Sequence, residues 1–152
     1  MPTFSAHQGA NTPATNQDNW TLDADTAGDI GKVISIGWGG RLTASTGYRT
    51  RWVRPTTAGA STFTALNNEA HHPGYATPQC RVGTFVTAPV LPTDPDNLHA
   101  QDWNAHGGVG YIVLPLAKEW IVINGVLQGQ ISCRNVAGTD ASGSSYGITW
   151  DE

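Results

Sequence analysis

Histidines, cysteines and acids are the side chains of this sequence with the means to do chemistry, and each grouping stops short of a full set. His71-His72 and the run His99, Asp102, His106 supply imidazoles. A zinc site needs three or four converging ligands, and neither His-Glu-x-x-His nor Cys-x-x-Cys spacing is present. Asp23, Asp25 and Gly28 match the start of a calcium loop, but Ala27 stands at position five and Ile34 where the bidentate acid belongs. Asp94, Asp96, Asp102 and Glu119 are the acids available for glycoside hydrolysis, yet acids beside prolines are ordinarily turn formers. Gly-x-Ser-x-Gly is absent, and Gly37-Trp38-Gly39-Gly40 lacks the lysine and following helix of a phosphate loop. The expectation is a protein that is not an enzyme, with no catalytic residue, metal or cofactor.

A second kind of chemistry resides in arginine. Along Tyr48 to Val53, period two places Tyr48, Thr50 and Trp52 on one face and Arg49, Arg51 and Val53 on the other. Single-stranded nucleic acid needs aromatics and cations on one face. Here they are separated, the net charge is -4, and only Lys32 and Lys118 join the six arginines, so nucleic acid is not expected. The aromatic face needs a core, and the arginine face needs carboxylates or carbonyls in this chain or the next. Arg41, Arg49, Arg51 and Arg54 are therefore candidate protein-interface residues. Phe4 joins them as the one large apolar group after Met1 in a polar N-terminal stretch, expected to be an arm laid across a neighbouring subunit.

The elements that must position these groups are strands. Lys32 to Trp38 alternates, with Ile34, Ile36 and Trp38 expected on the buried face. Asp18 to Leu22, Thr62 to Leu66, Cys80 to Thr87, Leu98 to Trp103, Ile131 to Asn135 and Tyr146 to Trp150 are further short strands. Val109 to Leu116 is nearly all apolar, which fits a strand covered on both faces or a central strand at a subunit contact. Asn124-Gly125 between two apolar runs is a type I′ hairpin signal. No helical period is sustained. Strands with turn signals every ~8–12 residues indicate an all-β fold, and the proline-rich crossing from Thr87 to Leu98 favours a Greek-key path. The prediction is one β-sandwich domain over residues 20–152, of jelly-roll or related Greek-key topology, preceded by an extended N-terminal arm over residues 1–19.

Composition adds bounds. Only 13% of residues are charged, half the usual share, which suits neutral contacts with other protein surfaces. The Met1-Pro2-Thr3-Phe4-Ser5 start lacks a secretory pattern, so synthesis in the cytosol with reduced Cys80 and Cys133 is expected. No apolar run approaches ~18 residues, and no membrane partner is expected.

The segments Gly37-Trp38-Gly39-Gly40, Gly47 to Thr57, Ser132 to Asn135 and Tyr146 to Glu152 resemble those of small virion proteins of tailed bacteriophages. The resemblance implies a jelly-roll or related sandwich that self-associates, often as a trimer, and decorates or cements the capsid by binding the major capsid protein or another virion protein. It implies no catalytic residues. The alternative is a tail-associated or carbohydrate-binding sandwich, which needs exposed aromatics among its six tryptophans.

Overall fold

Short alternating segments become twelve strands in the computed structural model, which describes residues 2–11, 18–24, 29–43, 45–74, 77–92, 97–115, 120–123, 129–137 and 144–152. In chain order they are β1 (Thr3–Asn11), β2 (Asp18–Ala24), β3 (Ile30–Gly40), β4 (Gly47–Val53), β5 (Ala60–Ala65), β6 (Asn68–Ala70), β7 (Cys80–Thr87), β8 (His99–Asn104), β9 (Val109–Val113), β10 (Trp120–Ile123), β11 (Ile131–Ala137) and β12 (Ser144–Asp151). They form two antiparallel sheets packed as a β-sandwich. The first runs β10-β3-β12-β1-β6, with β9 also on β3, and the second runs β5-β7-β2-β11-β4-β8.

The pairing is nested: β1 with β12, β2 with β11, β3 with β9 and β10, β4 with β8. Successive partners alternate between the sheets, which is one long hairpin rolled upon itself, the jelly-roll path. The excursion between β4 and β8 extends both sheets, laying β6 beside β1 and β7 with β5 beside β2.

The core lies between the sheets, where Trp20, Leu22, Val33, Ile36, Trp52, Val82, Ile131, Cys133 and Trp150 are buried. Tyr48, Thr50 and Trp52 point inward as their alternation requires. A buried polar knot ties the sheets together: Asn135 Oδ1 accepts from Asn19 Nδ2 at 3.1 Å, Thr50 Oγ1 at 2.7 Å and Tyr146 Oη at 2.7 Å. Trp103 Nε1 donates to Thr50 Oγ1 at 2.9 Å. Asn135 Oδ1 thus gathers three buried donors onto one acceptor, the kind of pairing that low local polarity demands.

Two expectations change. The N-terminal stretch is no arm, because β1 lies between β12 and β6 within the first sheet. Its polar look hid a period of two, with Phe4 and Ala6 inward and Ser5 and His7 outward, so the division at residues 19 and 20 does not separate arm from sandwich. On β3, Trp150 pairs with Val33 but Thr149 with Ser35, leaving Ile34 as the extra residue of a bulge. The bulge resets the phase, so Val33 joins Ile36 and Trp38 in the core and Ile34 does not. The expected Asn124-Gly125 turn and the apolar run after it, Val126 to Gln128, lie outside the described residues.

Candidate interaction face

The outer faces of the two sheets differ. Across the second sheet runs the proline-rich crossing between β7 and β8, and the outward arginines hold it. Arg134 Nη2 donates to Pro89 O at 2.7 Å and Arg51 Nη2 to Pro92 O at 3.0 Å, with Arg51 Nε on Asn97. Val90 adds backbone bonds with Thr56 and Thr57. Arg134 also meets Asp18, whose side chain is 1% exposed: Nη2 and Nε lie 2.6 and 2.7 Å from Oδ1, and Thr21 Oγ1 donates to Oδ2 at 2.7 Å. Burial pushes the Asp18 carboxyl up from its ordinary range, against the pull of Arg134 and the hydroxyl.

The expected interface residues therefore divide. Arg51 is buried against its own chain and is not available to a neighbour, because the crossing supplies the carbonyls its strand face required. Phe4 is likewise withdrawn, 2% exposed and stacked on Trp150 at 5.8 Å between ring centroids. Arg49 lies 4.0 Å from the exposed Asp102, a surface pair of small energetic weight. Arg54 is half-buried, and Arg41 is exposed in the segment after β3. The structure does not gather the four arginines into one site. Nor does it gather His99, Asp102 and His106: His99 packs on Trp52 and Trp38, Asp102 faces Arg49, and the His106 ring bonds Leu42 O.

The first sheet carries no such crossing among the described residues, and a trench of about 400 Å³ opens on its outer face. Register builds it. One row across four strands reads His7, Gly147, Gly37, Tyr111, and the next reads Ser5, Thr149, Ser35, Val113. A third pairs Ser145 with Gly39 and Gly39 with Val109. The floor is glycine, serine and threonine, the β1 wall is His7 and Ser5, and the β9 wall is a ridge of Val109, Tyr111 and Val113. A Cβ on Gly37 would sit 3.4 Å from Tyr111 Cδ2, so the ring leans over the glycine. On the inner side of β9, a Cβ on Gly110 would fall 2.0 Å from the Trp38 ring, so glycine there lets the edge strand close over the core.

Among the described residues, no Asp, Glu, Lys or Arg lines the trench. The ridge is 82%, 68% and 64% exposed at Val109, Tyr111 and Val113, and Ile121 and Ile123 on β10 continue the exposed apolar line along the same edge of β3. Contiguous apolar exposure of this kind is uncommon on monomeric proteins and is enriched at binding surfaces. Its nearly unbroken apolar run made Val109 to Leu116 legible as a strand, but one expected to be covered on both faces or central; instead β9 lies at the edge beside β3 and its outward side chains are bare. The glycine and serine floor could be read only once four strands were set side by side.

Trp20, Trp38, Trp52 and Trp150 are buried, and Trp103 and Trp120 pack against the core. The tryptophan platforms that a carbohydrate-binding module needs are thus occupied internally, and Tyr111 is the exposed tyrosine, phenylalanine or tryptophan among the described residues. Comparison of the chain with family models, curated proteins and solved structures yields no match.

Proposed function

We propose that the chain is a structural protein of a bacteriophage virion, a decoration (cement) protein that binds the major capsid protein or another virion protein and associates with copies of itself. The observation that carries the binding role is the apolar ridge beside a small-residue trench on the outer face of the first sheet, with no Asp, Glu, Lys or Arg among the described residues lining the trench. The virion setting rests on the resemblance of Gly37 to Gly40, Gly47 to Thr57, Ser132 to Asn135 and Tyr146 to Glu152 to small phage virion proteins. The jelly-roll path suits the role, since its second sheet is locked by Arg51 and Arg134 and its first presents a rigid face. Co-sedimentation of the purified protein with capsids lacking it is the test. Saturable binding that weakens in Val109→Ser and Val113→Ser supports the role; no binding to capsids at any protein concentration rejects it.

A further inference from the structure

We infer that the first-sheet face binds a second copy of this chain as a two-fold pair, each copy inserting its Val109-Tyr111-Val113 ridge into the other's trench. The inference deepens the proposed role and rests on its premise of self-association.

Ridge and trench have matching repeats. Alternate residues on β9 stand roughly 6.8 Å apart, and so do the floor rows Ser35/Thr149, Gly37/Gly147 and Gly39/Ser145, because both follow the strand period. Across the strands, β1 to β9 spans three spacings, roughly 14 Å, leaving the two middle strands bare for one strand's row of side chains. Sheets packed face to face stand ~10 Å apart, a gap that large side chains opposite small ones fill. A two-fold axis lying between ridge and trench carries each ridge onto the other trench. Both features occupy one face within a few strand widths, so a copy that inserts its ridge receives its partner's at the same time. The contact closes as a pair and not as a ring.

Charge and area agree with this occupant. The centre carries no formal charge to meet its own like, while Lys32, Asp151 and Glu69 stand toward the rim, the arrangement of an apolar centre with a polar margin. Five strand positions and the 11 residues of β3 give a face of up to roughly 24 by 37 Å, on the order of 900 Å², against ~800 Å² per partner in a standard interface.

The test mixes Tyr111→Cys protein with Gly147→Cys protein under mild oxidation, alongside sedimentation equilibrium of the parent chain. Cys80 and Cys133 are buried and do not compete. The expected results are a disulfide-linked heterodimer on mixing and a concentration-dependent parent dimer. Tyr111→Ser and Gly147→Leu, both outward positions, should raise its dissociation constant by at least about 30-fold, with thermal midpoints unchanged at dilutions where the parent is monomeric. A parent monomer at all concentrations, a trimer, or a dimer indifferent to both substitutions overturns the inference. So does a monomer whose trench instead takes up maltoheptaose. Capsid binding without a dimer would sink this inference and leave the capsid-binding part of the proposed function standing; a dimer that ignores capsids would do the reverse.

Discussion

Replacing Arg134 by Met probes the lock on the second sheet. The substitution keeps most of the apolar stem but removes both donors to Asp18 Oδ1 and the donor to Pro89 O. Asp18 remains with its side chain 1% exposed and only hydroxyl support from Thr21 and Ser132. Stranding one member of a buried pair costs about 3–5 kcal/mol, roughly 10 °C in melting temperature for a chain of this length. The cost depends on pH with a definite sign. Burial already raises the folded carboxyl above its unfolded value near 3.9, so the folded chain holds that proton to higher pH than the unfolded chain does. The stability tied to the proton is complete at low pH and is lost as pH climbs through the window between the two values. Without Arg134 the folded value rises further, so the variant should recover toward pH 4. There about 1–2 kcal/mol remains for the lost bond to Pro89. Urea unfolding followed by tryptophan fluorescence at pH 7 and pH 4 measures both. A loss under about 1 kcal/mol at pH 7, or an equal loss at both pH values, would refute the reasoning. Asp18→Leu combined with Arg134→Met should regain most of the stability, since an apolar pair strands no charge.

Other outcomes follow from the same packing. Phe4→Ala should destabilise by about 3–5 kcal/mol in urea unfolding, where a free arm would lose almost nothing. Arg51→Ala should cost about 1–3 kcal/mol through its lost bonds to Pro92 and Asn97, while Arg49→Ala stays within about 0.5 kcal/mol by the same measurement. Gly110→Ala should cost about 1–3 kcal/mol and blue-shift or quench Trp38 emission as the ring is displaced. The Cys80 thiol, pushed up to about 12 by burial and then by Glu152 and Asp29, should resist a thiol reagent at pH 8 until the chain is unfolded.

Alternation alone made the aromatic face of β4 legible, and likewise Tyr146, Ile148 and Trp150 on β12, because a half-buried strand prints its burial in its period. The arginine face was legible as a demand for carbonyls, but Pro89 and Pro92 are 45 and 41 residues away from the arginines they bind, and no local pattern names them. Phe4 misled for the opposite reason: its neighbours are polar because they face outward, not because the segment is unpaired. The bulge at Ile34 is a property of two strands together, invisible in either. The trench is a property of four.

The pairing of β1 with β12 sets a condition on how the chain folds. Thr3 Oγ1 donates to Asp151 Oδ1 at 2.6 Å across 148 residues of sequence, and that strand pair lies inside the first sheet. The β4–β8 pair can form early, and each outer layer of the nest needs a strand synthesised later. Until β12 arrives, β1 and β3 have no common neighbour, and the small-residue floor of the trench does not exist. Such non-local pairing places folding in the millisecond-to-second range instead of microseconds. The surface inferred to hold a partner is therefore completed only once β12 is made, and a chain that lacks β12 cannot pair through it.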